Sequence, residues 1–245
     1  MRIYTTIHIG EFHTNHCEDF LIREKTATNE QLIAVLDGCT MGIESVFASM
    51  LFGKILRNIA KTKFYSDFIT KETITLKEKL KEILEDLIDQ TKELKNQLGL
   101  EVNELLSTLI IGLINTENAT AEFLTVGDGL IYHDGKIIIY DQDDKPDYLG
   151  YHLSENFNDW FYNQKQRLSI ANFKDLSICT DGIFTFRNLK NTAKQKSETE
   201  IITYLLKDNE GDEYDNFLDR KVLTLKDKWN HFVTDDLAII RIINR

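Results

Sequence analysis

Acidic residues follow apolar runs at three places in this sequence. Asp37, Asp128 and Asp181 each precede a glycine, and each comes within two residues of an apolar segment: LIAVL, EFLTV and LSICT. Short apolar runs of this kind predict buried strands, and carboxylates at strand ends from distant segments can meet at one point. Carboxylate oxygens are the ligands that hard divalent cations such as Mg²⁺ and Mn²⁺ prefer. The pattern therefore indicates a shared metal centre.

Two acidic pairs extend this set. Glu18-Asp19 follows His16-Cys17, and Asp235-Asp236 comes just before the last apolar run. Several carboxylates and a carbonyl could hold two ions, and two ions about 3.5–4 Å apart can activate a bridging water and bind a phosphoryl group. Because Gly38 has no side chain, its carbonyl can approach a metal closely. The chemistry indicated is metal-assisted hydrolysis of a phosphoester.

Turns and thiols offer simpler interpretations of some of these residues. Asp134-Gly135 lies between two strand-like runs and predicts a β-hairpin turn. Cys17, Cys39 and Cys179 each lie within two residues of an acidic motif, so a zinc–thiolate site is an alternative. No C-x-x-C spacing occurs, and the many carboxylates favour Mg²⁺ or Mn²⁺ over zinc.

The elements that must position these residues are strands and two long helices. Helical spacing occurs at 42–61 and 73–98, and Gly99 is a suitable end for the second helix. Strands are predicted at residues 1–10, 31–36, 105–115, 121–126, 130–133, 136–140, 176–180 and 237–243, with a helix at 195–206 and an acidic loop at 207–220. Runs of strands beside separate helices favour an α+β fold over alternating βαβ units.

Composition excludes several classes of partner. The 245 residues carry a net charge of −11, with no dense Lys/Arg patch, so we expect no nucleic-acid partner. The longest apolar stretch, at 105–114, is too short to span a membrane. The first residues lack the features of a signal peptide. We expect one domain over residues 1–245, a monomer located in the cytoplasm.

Six motifs occur in a fixed order. They are Glu18-Asp19, LDG at 36–38, LLSTLIIGLI at 105–114, VGDG at 126–129, CTDG at 179–182 and TDDLAII at 234–240. The series resembles the type 2C metal-dependent serine/threonine protein phosphatases, in a divergent bacterial form. The resemblance implies an α+β fold, a four-layer α-β-β-α sandwich of two antiparallel sheets flanked by helices, with the metals at one end between the sheets.

The resemblance also implies the site. Asp37 would bridge two Mn²⁺ or Mg²⁺ ions, Asp181 and Asp235 would bind one of them, and Asp128 matches the position of an additional, weaker metal. Asp236, the next residue, remains an alternative to Asp235 as the metal ligand. The full set of implied metal ligands is Glu18, Asp19, Asp37, Gly38, Asp128, Asp181 and Asp235.

The activity implied is hydrolysis of phosphoserine and phosphothreonine in proteins by a metal-bridging hydroxide, with Asp37 and Asp181 acting through metal-bound water. Four residues depart from the family pattern: Thr14 replaces an arginine that grips the phosphate, Cys39 replaces a histidine, Gly129 replaces a serine and Ala238 replaces a threonine. His13 or His16 could contact the phosphate instead, without arginine's bidentate geometry.

These departures keep two other functions open. The chain could be a catalytically weak or inactive domain that binds a phosphorylated partner or a regulator, or it could hydrolyse a small phosphoester. Between the VGDG and CTDG motifs, a segment at about 145–172 carries six aromatic residues: Tyr148, Tyr151, Phe157, Trp160, Phe161 and Tyr162. It matches a variable flap in the family, and it is either a lid over the site or a hydrophobic cluster under a loop.

Overall fold

Twelve strands and five α-helices form the structure, a computed structural model that describes residues 1–43, 45–69, 74–142 and 146–245. The strands are β1 Arg2–His8, β2 Phe20–Ala27, β3 Glu30–Leu36, β4 Leu109–Asn115, β5 Thr120–Val126, β6 Gly129–His133, β7 Lys136–Tyr140, β8 Arg167–Ile170, β9 Asp175–Cys179, β10 Phe186–Asn188, β11 His231–Val233 and β12 Leu237–Ile243. The helices are α1 Ser45–Ile69, α2 Leu76–Leu98, α3 Phe157–Asn163, α4 Glu198–Leu206 and α5 Phe217–Asp227.

The strands form two five-stranded antiparallel sheets. Their orders are β1-β12-β9-β6-β7 and β2-β3-β4-β5-β8, and β10 pairs separately with β11. Side chains alternate across β3: Ile33 and Val35 pack between the sheets, whereas Leu36 packs toward the helices. A strand covered on both faces has a continuous apolar run, which explains the predicted buried strand at 31–36.

Helices cover the outer face of each sheet. Helices α1 and α2 share a core with the β2–β8 sheet, and α4 and α5 share one with the other sheet, while a third cluster lies between the sheets. These are the four α-β-β-α layers that the sequence predicts, so that prediction is confirmed. Within the described parts of the chain, every helix is too short or too polar to cross a membrane.

Local signals set several boundaries. Thr75 caps α2 and forms a capping box with Glu78, and Gly99 ends the helix in the left-handed conformation at φ 68°. The predicted start at residue 73 lies outside the described residues. Asp134 and Gly135 both have positive φ and join β6 to β7, which confirms the predicted two-residue hairpin.

Six elements of the structure are absent from the sequence prediction: β2, β8, β10, β11, α3 and α5. Two of them show the reason. The acidic segment at 207–220 was predicted as a loop, but α5 begins within it at Phe217 because Phe217, Val222 and Leu225 bury one face against the β1 sheet. Strand β2 was not predicted. Its central residues, Arg23 to Lys25, are charged and lie on an edge strand, where side chains can reach solvent.

Candidate metal centre

Three aspartates meet at one end of the sandwich, between the sheets. Asp37 follows β3 and Asp181 follows β9, which belong to different sheets, and Asp128 lies in the turn where the chain passes from β5 to β6. One carboxylate oxygen from each lies within 4.8 Å of the others, and all three residues are half-buried. The sequence therefore predicted their proximity correctly.

Asp19 lies deeper beside them. It is 3% exposed, and Thr180 Oγ1 donates a hydrogen bond to its Oδ2 at 2.6 Å. The other oxygen, Oδ1, is buried and has no hydrogen-bond partner among the described residues.

The carboxyl groups of this cluster hold their protons more tightly than usual. Burial is the main cause at Asp37, followed by the negative charges of Asp19, Asp181 and Asp235, and together they raise its pKa well above the usual value. Burial and the charges of Asp128 and Asp235 raise the pKa of Asp181 to about 7. A divalent cation relieves this repulsion, and an unpartnered Asp19 oxygen in an all-oxygen donor set fits Mg²⁺ or Mn²⁺.

Asp235 and Asp236 have different surroundings. Asp236 is buried, and its carboxylate accepts hydrogen bonds from the backbone N–H groups of Gly10, at 2.7 Å, and Glu18. The Asp235 side chain is 48% exposed, and its charge raises the pKa values of Asp37 and Asp181. Asp236 is occupied by the backbone, and Asp235 Oδ1 accepts a hydrogen bond from Asp236 N at 2.8 Å. Among the described residues, neither belongs to the group of carboxylates within 4.8 Å of one another, which is Asp37, Asp128 and Asp181.

The loop that follows β3 is held by the strand with the Ser-Thr motif. Asp37 O accepts a hydrogen bond from Thr108 N at 2.9 Å, and Gly38 forms a β-bridge with Ser107. Gly38 N donates to Glu18 O at 3.2 Å, and the Glu18 carboxylate accepts from Thr40 Oγ1 at 2.8 Å. These bonds bring the acidic pair and the Asp-Gly loop to the same point.

The residues that could contact a phosphate lie on the loop before the acidic pair. His13 Nδ1 is 3.0 Å from Asp236 and its Nε2 is 3.5 Å from Asp235. Burial lowers the pKa of His13, but the neighbouring carboxylate of Asp236 and the charges of Asp235 and Glu18 outweigh burial and raise it. His16 and Thr14 are exposed on the same loop.

One polar residue at the site, Thr180, was not singled out from the sequence, and a second, Tyr148, was named only as part of the aromatic segment. Thr180 orients Asp19, and the signal for it was its position directly before Asp181. Tyr148 lies within hydrogen-bonding reach of Cys39, and burial, Cys39 and the charge of Asp37 raise the pKa of Tyr148 well above its usual value. It comes from the aromatic segment at 145–172, of which residue 145 lies outside the described part.

The other aromatic residues of this segment divide into two groups. Phe157, Trp160 and Phe161 are buried in the cluster that includes α2, whereas Tyr151 and Tyr162 are about half exposed or more. His152 anchors the segment, with its Nε2 2.8 Å from Asp147 and its Nδ1 2.7 Å from Glu155.

Two glycines allow backbone segments to approach each other closely at the metal centre. A Cβ on Gly182 would lie 1.8 Å from Asp236 O, inside any permitted contact. Gly129, which occupies the position of the family's serine, has φ +131° and would place a Cβ 2.7 Å from Cys179 O. The backbone therefore accounts for glycine at position 129.

Comparisons of this chain with protein families and with solved structures agree with the fold and the motif order. A family model described as protein phosphatase 2C matches residues 11–220. A bacterial serine phosphatase aligns with a TM-score of 0.62 and 14% identity over 100% of this chain and 99% of its own. Serine/threonine phosphatase Stp1 from Staphylococcus aureus aligns with a TM-score of 0.60 and 14% identity over 99% of this chain and 94% of its own.

A third structure, RsbX in complex with magnesium, aligns with a TM-score of 0.51 and 18% identity over 98% of this chain and 92% of its own. No curated protein matches. At these identities the structures share the fold with this chain. The family model covers most of the sequence, and the chain therefore belongs to the protein phosphatase 2C family.

Proposed function

We propose that this protein is a metal-dependent phosphomonoesterase that acts on phosphoserine and phosphothreonine in other proteins. The observation that carries the proposal is the convergence of Asp37, Asp128 and Asp181 from two sheets onto one point, with an oxygen of each within 4.8 Å. A structural role does not explain this arrangement, because like charges brought together without a cation destabilise the fold.

The proposed cofactor is a pair of Mn²⁺ or Mg²⁺ ions, with a third at Asp128. Their proposed ligands are the carboxylates of Glu18, Asp19, Asp37, Asp128, Asp181 and Asp235 and the carbonyl of Gly38. When bound, such ions supply Lewis acidity, which activates water and offsets charge on the phosphoryl oxygens. The magnesium in the RsbX structure supports this choice.

The chain's own groups would hold this arrangement rigid. Thr180 keeps the Asp19 carboxylate turned into the cluster. Asp236 ties the backbone of Gly10 and Glu18 to the start of β12, and so fixes the loop that carries the acidic pair. Preorganised ligands of this kind need little rearrangement during the reaction.

The phosphate would be contacted by His13 or His16 in place of the missing arginine. His13 is the better placed, because its ring adjoins Asp235 and its raised pKa favours the cationic form. A histidine lacks arginine's two parallel donors, so we expect weaker substrate binding than an arginine would give.

The test is hydrolysis of p-nitrophenyl phosphate with and without Mn²⁺, followed by hydrolysis of phosphothreonine peptides. Asp181→Asn should abolish manganese-dependent turnover. Asp134→Asn is the matched control, because it makes the same change in the hairpin Asp-Gly pair and leaves an oxygen to accept from Lys174 N and Asp175 N. Its turnover should equal that of wild type.

Other outcomes select the alternatives. A folded wild type without turnover on either substrate would favour an inactive domain that binds a phosphorylated partner or regulator, for which Thr14 and Cys39 are the motivation. Turnover of small phosphoesters but not of phosphopeptides would favour a small-molecule phosphatase.

A further inference from the structure

A groove between β2 and α1 has a charge opposite to that of the protein. It is lined by Arg23, Lys25, Arg57, Lys61, Phe64 and Tyr65 and has a volume of about 570 Å³. Among the described residues that line it, Glu24 alone is acidic, although the whole chain carries a net charge of −11. We call this surface the basic groove.

The positive charges of the basic groove are largely available to a ligand. Arg57 pairs with Glu24 at 3.5 Å and stacks on the Phe20 ring at 4.9 Å. Lys25 and Lys61 are exposed, and neither has an acidic partner within 4 Å among the residues that the structure describes. Both would therefore attract a negatively charged ligand without first breaking an ion pair.

One wall of the groove combines charge with aromatic surface. Arg57, Lys61, Phe64 and Tyr65 follow one another at helical spacing on a single face of α1. The rings of Phe64 and Phe68 are 5.2 Å apart, and Tyr65 and Phe68 are 60% and 69% exposed. Exposed aromatic rings beside cations are typical of surfaces that bind peptides.

The other wall is an edge strand that leads to the metal centre. Within the part of the chain that the structure describes, β2 pairs with β3 on one side and has no strand on the other. It begins at Phe20, directly after Asp19. At about 3.3 Å per residue, Lys25 lies roughly 20 Å along the strand from Asp19. An extended peptide in the groove could therefore reach from Lys25 to the centre with about six residues.

We propose that the basic groove binds an acidic, extended segment of the phosphoprotein substrate, about four to six residues from the phosphorylated residue. The inference rests on the proposed function and deepens it by assigning the substrate a second point of contact. Charge complementarity selects the acidic segment, and the edge strand selects an extended conformation.

Binding is tested without catalysis. Two fluorescein-labelled peptides are compared, both with alanine at the phosphorylation position. Five residues further on, one peptide has four glutamates and the other has four glutamines. Fluorescence anisotropy should show binding of the glutamate peptide alone, and roughly tenfold weaker binding to Lys25→Glu/Lys61→Glu. The control Lys190→Glu/Lys194→Glu makes the same charge change on exposed residues after β10 and should bind like wild type.

Kinetics then connect the groove to the reaction. With phosphothreonine versions of the two peptides, the Lys25→Glu/Lys61→Glu variant should lose roughly tenfold in kcat/KM for the glutamate peptide. Its rate on p-nitrophenyl phosphate should match that of wild type. Absence of p-nitrophenyl phosphate turnover in wild type would contradict the proposed phosphatase activity. The anisotropy measurements would then still show whether the basic groove binds acidic peptides.

Two results would overturn the proposal. One is equal affinity of wild type and Lys25→Glu/Lys61→Glu for the glutamate peptide. The other is equally tight and equally variant-sensitive binding of an oligothymidylate, which would make the groove a general polyanion site.

Discussion

Thr180 and Asp19 are 161 residues apart in sequence, yet the Thr180 hydroxyl donates to the Asp19 carboxylate at 2.6 Å. The same hydroxyl oxygen accepts a hydrogen bond from Ala238 N at 2.8 Å. One side chain therefore joins the loop before β2, the end of β9 and the start of β12. A residue without a hydroxyl, such as valine, could not make these two hydrogen bonds.

Replacement of Thr180 by valine should weaken both folding and metal binding. The change keeps the shape but leaves Asp19 and Ala238 N without partners, so we expect a loss of about 1–3 kcal/mol in the free energy of unfolding. Urea unfolding measures that loss, and calorimetric titration with Mn²⁺ measures the affinity. Thr180→Ser keeps the hydroxyl and should retain most of both, and equal losses in the two variants would argue against this hydrogen bond.

Asp37→Asn should stabilise the metal-free protein while removing its response to metal. Burial and three neighbouring negative charges oppose ionisation of Asp37, so a neutral amide relieves repulsion. A gain of about 1 kcal/mol would raise Tm by about 2–4 °C in a chain of this length. Thermal unfolding in EDTA and in Mn²⁺ tests both parts.

Wild type should gain Tm on addition of Mn²⁺, and Asp37→Asn should gain little. The hairpin variant Asp134→Asn should behave like wild type in both conditions. A lower Tm for Asp37→Asn in EDTA would show that this carboxylate is structurally required without metal.

Arg241 should be among the residues whose loss most destabilises the fold. It is fully buried in β12, bonds Asp175 through Nε at 3.1 Å and Nη2 at 2.6 Å, and donates to the carbonyls of Leu205 and Asp208. Arg241→Met would leave the partly buried carboxylate of Asp175 and two carbonyls without donors, and we expect a loss of about 3 kcal/mol in the free energy of unfolding.

Urea unfolding measures the effect of Arg241→Met, and Arg241→Met/Asp175→Leu serves as its comparison. Removal of both charges should recover part of the lost stability, since the uncompensated carboxylate is then gone. No recovery would mean that the carbonyl hydrogen bonds, rather than the ion pair, are the main contribution.

His152 should make stability depend on pH near neutrality. Burial lowers the pKa of His152, but hydrogen bonds and charges from Asp147 and Glu155 outweigh it and raise the pKa above 6.5. A raised pKa in the folded state means that the stabilisation is complete below pH 6.5 and is lost as pH rises through the folded value. The expected difference is about 0.5–1 kcal/mol, given partial solvent screening.

The comparison is the free energy of unfolding of wild type and His152→Gln from pH 5.5 to 8.5. Because the other histidines are common to both proteins, the difference between the two curves isolates His152. That difference should shrink as pH rises, and parallel curves would exclude the proposed charge pairs.

Motif order predicted the layers and the proximity of three aspartates, but it left open which of the neighbours Asp235 and Asp236 is held by the backbone. Asp37, Asp128 and Asp181 follow apolar strands, and hence their meeting could be predicted from spacing. Asp236, rather than Asp235, is buried and bonded to the backbone N–H groups of Gly10 and Glu18, which are more than 200 residues away. Nothing near residue 235 encodes those contacts.

Two of the elements that the prediction missed, α5 and β2, have mixed composition. The start of α5 at Phe217 lies in an acidic stretch, and only its packing against β1 shows that the helix begins there. In β2, three consecutive charged residues on an edge strand interrupt the alternation of apolar and polar residues that would indicate a strand. Both failures arise because tertiary burial, rather than local propensity, decides these segments.

The turn that carries Asp128 passes from one sheet to the other, so the acidic cluster exists only after the two sheets have docked. A cation that binds this cluster therefore binds the native state and not the unfolded chain. The concentration of that cation would then set the fraction of molecules that are unfolded and can be cleaved by proteases. The abundance of the protein in a cell would therefore depend on metal availability, even if its activity were unchanged.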